Sequence, residues 1–341
     1  MRSKMINIKV IKRLIGLFLI VMSVPGADAD PPLTSQPAVA AFVDEMAHKH
    51  GFDKNGLSQI INEAQFQQSI IDAITRPAES KPWYEYRPIF ITDSRIVHGV
   101  RFLDDYKDTL HRAETQYGVP AEIITAILGV ETFYGQRIGR HRILDSLVTL
   151  AFGYPARGDF FRSELEAYLL LTREQHLDPV SMKGSYAGAM GLPQFISSSY
   201  RTYAVDFDGD GKKDLWTDPA DAIGSVANYL KVHGWQAHGE IAVHARVSGE
   251  GYRDALDMGI KPSIEVAQLK KFGIAPDKHL AKHLKGALIQ LEAKQGYEYW
   301  LGLENFYVIT RYNHSPLYAM AVYQLSQAIK AGQEHEIAVN N

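Results

Sequence analysis

The chain contains no cysteine among its 341 residues. Disulfides, thiol nucleophiles, cysteine metal sites and lipid attachment through an N-terminal cysteine are therefore excluded. It also lacks a strong charge of either sign. Lys and Arg number 36 against 39 Asp and Glu, a net charge of −3, which leaves no electrostatic footprint for nucleic acid. Past residue 24 no apolar run approaches the roughly 20 residues that a membrane-spanning helix requires, and no internal repeat is present. What is there is 46% hydrophobic and 22% charged. That is the composition of an ordinary folded protein with a sizeable core, long enough for one large domain or two to three small ones.

The N-terminus reads M-R-S-K-M-I-N-I-K-V-I-K-R, then an apolar run of 11 residues from Leu14 to Val24, then Ala27-Asp28-Ala29. A basic region, a short apolar stretch and a small-x-small site make a secretory signal, cleaved after Ala29. The run is short for an uncleaved anchor. The expectation is an exported, soluble, bacterial protein, with residues 1–29 as signal peptide and the mature chain in the periplasm.

The stretch most informative about chemistry is Pro120–Gly135, P-A-E-I-I-T-A-I-L-G-V-E-T-F-Y-G. Pro120 suits the start of a helix and Gly135 its left-handed close. Ile124, Ile127 and Leu128 define a buried face. Glu131 comes next at the same spacing, in the last turn, so its carboxyl points into that face. Desolvation and the negative helix end both raise a carboxyl pKa there. A carboxylic acid kept protonated near neutrality is what a general acid at a glycosidic oxygen requires. A structural Glu, hydrogen-bonded at a helix end, fits the same segment.

Around this stretch the chain reads mainly as helix. Pro37 to about Thr75 and Val97–Tyr117 are scaffold helices, and Arg76–Pro88 is a Pro- and aromatic-rich linker or arm. Asp145 caps a helix from Ser146 to Phe152. Phe160–His176 is an amphipathic helix whose charges, Glu164 and Glu166 among them, are a solvated face. In S-Y-A-G-A-M-G-L-P-Q-F, Ser185–Phe195, glycines permit close backbone approach. Gln194 sits at a helix start with its amide towards a groove, unless the segment is only a tight packing loop. From Glu240 to about Val308 short β-favouring pieces, F-Y-V-I-T the last of them, alternate with turns. Helix returns at Pro316, with Ser315 as cap.

The segment D-F-D-G-D-G-K-K-D-L-W-T-D, Asp206–Asp218, places Asp206, Asp208 and Asp210 at positions one, three and five of a calcium loop. Gly211 falls at the sharp turn, and Lys212 would give its carbonyl. Position twelve is Thr217 rather than a bidentate Glu, so Asp218 or Asp221 would substitute in a longer loop. The competing reading is an acidic surface turn.

Taken together, E-T-F-Y-G, S-Y-A-G-A-M-G-L-P-Q-F, D-F-D-G-D-G…D-L-W…D-P-A-D-A-I-G-S-V-A-N-Y and R-Y-N-H-S-P-L-Y-A-M-A-V resemble the membrane-bound lytic murein transglycosylase B family and its soluble relatives, in order and in spacing. The resemblance implies an α+β, mainly α fold. It would have a helical N-terminal domain and linker (30–90), a lysozyme-like core with the calcium loop (91–239), a small β domain (240–308) and a C-terminal segment completing the core (309–341). It implies cleavage of the bond between N-acetylmuramic acid and N-acetylglucosamine in peptidoglycan, leaving a 1,6-anhydromuramic end. Glu131 would be acid, then base. Ser185, Gln194, Tyr312 and Tyr318 would contact sugar, and Met190 and Phe195 would line the groove. Asp206, Asp208, Asp210 and Lys212, with Asp218 or Asp221, would bind a structural calcium. The expected partners are glycan strands, with cell-wall synthesis enzymes admitted, and the expected state is a monomer. Two alternatives stand beside this. A muramidase-type hydrolase requires a second carboxylate facing Glu131, and a non-catalytic peptidoglycan-binding scaffold predicts binding without turnover.

Overall fold

The computed structural model describes residues 32–76 and 81–340; the signal expected at residues 1–29 lies outside them. Helices α1 (Pro37–His50), α2 (Lys54–Asn62) and α3 (Gln68–Ile74) form the N-terminal layer. Helix α4 (Trp83–Phe90) takes up the second part of the stretch expected to be a linker, from Trp83 on. Trp83 and Tyr86, three apart, bury one face of it, against the C-terminal helix and the sheet. The single helix expected over Val97–Tyr117 is two, α5 (Asp93–Asp105) and α6 (Lys107–Tyr117), broken at Tyr106. Leu103 and Leu110 are both buried, so the apolar period runs on across the break.

Helix α7 (Ala121–Thr132) is the centre of the core. Every residue from Ile123 to Val130 is buried. A helix apolar all round has to be enclosed, and α5, α6, α11 (Pro219–Val232) and α14 (Pro316–Asn340) pack on α7. The hairpin-like pair α8 (Ile143–Gly153) and α9 (Gly158–Glu174) packs beside them, and α10 (Ser197–Tyr203) closes against α9. A two-residue pairing of β1 (His141–Arg142) with β2 (Lys183–Gly184) joins the two flanks of α8 and α9.

The β module is a five-stranded antiparallel sheet, built from β3 (Ala242–Val247), β4 (Ile264–Glu265), β5 (Ile274–Pro276), β6 (Lys285–Glu292) and β7 (Tyr297–Gly302), in the order β4-β6-β7-β3-β5. It has its own small core around Val243, Ile264, Leu269, Leu288 and Leu301. Helix α12 (Tyr252–Asp257) comes after β3, and β4 is followed directly by a 3-10 segment, Val266–Phe272. The sheet ends at Gly302, short of the expected 308. F-Y-V-I-T is not a strand but the middle of α13 (Glu304–Tyr312). Phe306, Ile309 and Thr310 are all fully buried at helical spacing, a pattern that a short apolar run does not separate from a strand.

Several charges expected at a helix cap or in solvent tie the layers together. Asp145 is 2% exposed and lies inside the first turn of α8, not at its cap. It accepts from the Gln65 backbone N–H (2.9 Å), Gln67 Nε2 (3.1 Å) and Arg142 Nε (2.9 Å). Glu164 is 4% exposed and accepts from Ser198 N–H (3.0 Å) and Ser198 Oγ (2.6 Å). Glu166 receives Lys49 and His50, each at 2.8 Å. Asp145→Ala leaves the Arg142 guanidinium and two donors of the Gln65–Gln67 segment without their acceptor. A stability loss of roughly 2–4 kcal/mol is expected in urea denaturation, together with earlier proteolytic cutting before Gln68.

Candidate active site

Glu131 stands in the last turn of α7, and the chain leaves that turn in an unusual conformation. Phe133 (φ +53°), Tyr134 (φ +59°) and Gly135 (φ +86°) are consecutive left-handed residues. The helix closes two residues before the expected glycine, on two aromatic side chains. Each costs about 1 kcal/mol or more in that region, so the surroundings must impose it. Phe133 N–H donates to Gly129 O and Tyr134 N–H to Leu128 O, both at 3.1 Å. Gly135 N–H donates to Thr132 Oγ1 at 3.0 Å. The Tyr134 ring fills the space between Gly99 on α5 and Gly129 on α7, where a Cβ at either position would stand 2.6 Å from its hydroxyl oxygen. That hydroxyl donates to Arg95 O at 2.7 Å.

Arg95 holds the same turn from behind. It is 7% exposed, and its Nε donates to Gly129 O (3.0 Å) while Nη1 donates to Ile89 O (2.6 Å). The guanidinium lies over the rings of Phe90 and Phe133, 5.3 and 5.1 Å from their centroids. Burial lowers its pKa from the usual arginine value. A cation over the carbonyl end of α7 complements the helix dipole and satisfies carbonyls that the helix leaves open.

In front of Glu131 stands Tyr318, whose hydroxyl donates to Glu131 Oε1 at 2.6 Å. Tyr318 is 3% exposed and sits in the first turn of α14, where its N–H donates to Ser315 Oγ at 3.4 Å. Its ring lies nearly parallel to that of Tyr312, with centroids 6.3 Å apart and planes at 9°. Tyr312 packs in turn on Phe195 (5.7 Å) and Tyr229 (4.9 Å), and its hydroxyl donates to Pro193 O at 2.6 Å. Burial, with the nearby charge of Glu131 adding to it, pushes the hydroxyls of Tyr312 and Tyr318 well above the usual phenol range. Both are hydrogen-bond donors at neutral pH. Burial also pushes Tyr229 up to about 12.

The structure thus brings Glu131, Tyr318, Tyr312 and Phe195 into one contiguous group. The others fall differently. Gln194 is not at a helix start but in a turn, at φ +51°, with its Nε2 donating to Gly191 O (2.9 Å) and Ile138 O (3.2 Å). Ser185 Oγ accepts from Ala187 N–H (3.3 Å) and Ala189 N–H (3.0 Å) and so shapes its own loop. Met190 is fully buried; it supports the wall behind Phe195, with which it forms a bridge, and presents no groove surface. Gln194, Phe195 and Tyr312 line a cleft of about 290 Å³ together with Arg157, Tyr229 and Arg311. Among the described residues no carboxylate lines it. Arg157, Tyr229 and Arg311 were not singled out from sequence, although Arg311 opens the R-Y-N-H-S-P-L-Y segment.

The acidic loop precedes α11. Carboxylate oxygens of Asp206, Asp208 and Asp210 lie within 4.8 Å of one another, as do those of Asp208, Asp218 and Asp221. Asp208 belongs to both groups. Asp206 accepts from Gly209 and Gly211 N–H (2.7 and 2.9 Å), and Asp210 from Lys212 N–H (2.8 Å). Asp218 caps α11 through Ala220 N–H (2.6 Å). Asp221 is 1% exposed and accepts from Phe207 and Asp214 N–H (2.6 and 2.7 Å). Burial raises the Asp221 pKa, and the charges of Asp218 and Asp208 add to the rise against those two hydrogen bonds. A donor set of carboxylates without nitrogen or sulfur fits a hard divalent cation.

Comparisons with known proteins agree with this architecture. Residues 34–327 match the family of the transglycosylase SLT domain. The chain is 47% identical over 305 residues to membrane-bound lytic murein transglycosylase B of Escherichia coli (strain K12), covering 86% of this chain and 83% of that protein. Its fold superposes on the crystal structure of soluble lytic transglycosylase SltB1 from Pseudomonas aeruginosa with a TM-score of 0.83 at 51% identity, over 87% of this chain and all of that one. The Escherichia coli lytic transglycosylase Slt35 in complex with calcium gives 0.80 at 46% identity, over 87% and 94% of the two chains.

Arg95→Met keeps the aliphatic stem but removes the donors to Gly129 O and Ile89 O. A stability loss of roughly 2–4 kcal/mol is expected, read as a lower urea midpoint. An unchanged midpoint would show that the left-handed turn after Glu131 holds without the guanidinium.

Proposed function

The chain belongs to the transglycosylase SLT family, and on that premise we propose that it cleaves the β-1,4 bond between N-acetylmuramic acid and N-acetylglucosamine in peptidoglycan, with Glu131 as acid and then base. The observation that carries the residue assignment is the 2.6 Å hydrogen bond from Tyr318 to Glu131 at the end of the enclosed helix α7. Glu131 in its protonated form donates to the leaving glycosidic oxygen as the C1–O bond breaks. The substrate's own acetamido group stabilises the oxocarbenium-like centre. Glu131, now ionised, accepts the proton of the muramic acid 6-hydroxyl as that oxygen bonds to C1. No water is consumed, and the new end is a 1,6-anhydro ring.

Burial at a helix C-terminus favours the neutral acid, while a donated hydrogen bond favours the carboxylate. Glu131 stands partly buried at such a helix end and accepts the Tyr318 hydrogen bond, a place suited to a group that must serve in each form. Four acids on or beside the two helices that follow α7 have structural partners: Asp145 with Arg142 and the Gln65–Gln67 segment, Glu164 with Ser198, Glu166 with Lys49 and His50, and Asp159 with Arg162. This favours one acid with an internal nucleophile over the two-carboxylate hydrolase. Ser185, Gln194, Tyr312 and Tyr318 serve the sugar, with Gln194 and Tyr312 doing so from the walls of the cleft. A calcium ion would be held by Asp206, Asp208, Asp210 and the Lys212 carbonyl, with Asp218 and Asp221 completing the set, and would fix the loop ahead of α11 without taking part in the reaction. The enzyme works as a monomer in the periplasm on glycan strands.

Two measurements test this reading. Mass spectrometry of muropeptides released from sacculi is expected to show anhydromuramic ends, one water lighter than hydrolysed ones, and none with Glu131→Gln. Hydrated products, or cleavage by the Gln variant, would sink it. Titration with Ca²⁺ is expected to raise the melting temperature, with a gain of about 2.7 kcal/mol at a hundredfold excess over the dissociation constant. The double variant Asp206→Asn, Asp208→Asn should abolish that gain.

A further inference from the structure

The residue immediately after Glu131 is Thr132, and its side chain is fully buried. Its hydroxyl makes a bridge between two segments 60 positions apart in the chain. It accepts from Gly135 N–H at 3.0 Å, within the left-handed turn that ends α7. It donates to Leu192 O at 2.9 Å, in the turn that carries Gln194. Its one proton has two acceptors in reach, Leu192 O at 2.9 Å and, within α7, Leu128 O at 3.3 Å, and the shorter contact is the one that crosses to the other segment.

The far side of the Gly191–Gln194 turn is fastened independently. Leu192 N–H donates to Leu215 O at 2.7 Å, and Gly191 lies so close to that carbonyl that a Cβ would stand 2.2 Å from it. The Tyr312 hydroxyl donates to Pro193 O at 2.6 Å. The turn therefore has a fixed distance from the segment at Leu215 and from the Tyr312–Tyr318 pair. Thr132 adds its tie to the helix that carries Glu131, one residue from the carboxyl itself.

We propose that Thr132 is a positioning residue for the reaction, its hydroxyl setting the register between Glu131 and the Gln194 turn. The proposal rests on the reading of Glu131 as the reacting acid. Glu131 delivers a proton to an oxygen of a substrate that the opposite turn orients, so their spacing decides how often the acid meets the glycosidic oxygen in line. A displacement on the order of 1 Å in such a pair costs up to about 10²-fold in rate. Substrate affinity is spread over a longer glycan strand and depends little on this one spacing.

The test uses the full mature chain with Thr132→Val, which keeps shape and removes the hydroxyl, and Thr132→Ser, which keeps the hydroxyl and removes a buried methyl. The Val variant is expected to lose at least about 10-fold in kcat with KM within about 2-fold of wild type, and Ser to restore kcat to within about 3-fold. Melting temperatures are recorded for both. Should the Val variant not fold, Thr132→Ala against Thr132→Ser puts the same question. Wild-type kcat for Thr132→Val overturns the proposal. So do equal kcat losses in Val and Ser that track their melting temperatures, because packing alone would then explain them. Glu131→Gln, run alongside, separates the two readings. A dead Gln variant beside a fully active Val variant defeats the role of Thr132 alone, whereas an active Gln variant defeats the reading of Glu131 on which it rests.

Discussion

The site depends on how helix α7 is stopped. Its residues from Ile123 to Val130 are all buried, so the helix cannot shift or rotate without opening the core. Its end is forced into three consecutive left-handed residues. Nothing in the local sequence before Gly135 favours that conformation. It exists because the Tyr134 ring occupies the gap left by two glycines on neighbouring helices, because Arg95 reaches the Gly129 carbonyl, and because Thr132 closes the turn. Strain of about 1–3 kcal/mol per residue persists only where the surroundings over-determine it. Here they do so on either side of Glu131, and the carboxyl inherits a fixed place from a turn it does not itself stabilise.

How much of this could be read from the chain depends on the range of each interaction. The enclosed face of α7 was legible, because Ile124, Ile127 and Leu128 repeat at the helical period and all three are fully buried. The acidic loop was legible for a similar reason: its carboxylate pattern is local, and its three leading carboxylates converge as their spacing demands. Tyr312 and Tyr318 entered only through resemblance. They lie more than 180 positions from Glu131, and no periodicity links them to it.

Charged residues were where reading by pattern failed. Glu164 and Glu166 fall on what reads as the polar face of α9, and on helical spacing alone they belong in water. Their partners, Ser198 and the Lys49–His50 pair, lie 34 and more than 110 positions away. Arg95 is the same case with the opposite sign, since its acceptors are backbone carbonyls, which no side-chain pattern can announce. F-Y-V-I-T failed for a different reason. β-Branched and aromatic residues favour strands only weakly against tertiary context, and in α13 they bury Phe306 and Ile309 against the core that α14 completes.

Those long-range ties bear on the chemistry. Two-carboxylate glycosidases hold their second acid free to address water or the sugar. In this fold Asp145 and Glu164, the buried acids on the two helices after the Glu131 segment, are each nine-tenths or more buried and hold donors from other parts of the chain. A carboxylate that fastens two layers, through three hydrogen bonds at Asp145 and two at Glu164, is committed to the fold, because turning it towards water or a sugar would break contacts on which the layers depend. Glu131 differs in being only partly buried, at an edge where one helix ends and an aromatic wall begins. The Tyr318 hydroxyl beside it can hydrogen-bond to either form of the carboxyl: as donor to the carboxylate, or as acceptor from the acid after rotating about its C–O bond. Glu131 can change its protonation state without unfastening the fold, and this is why it, rather than Asp145 or Glu164, is the acid we propose for the reaction.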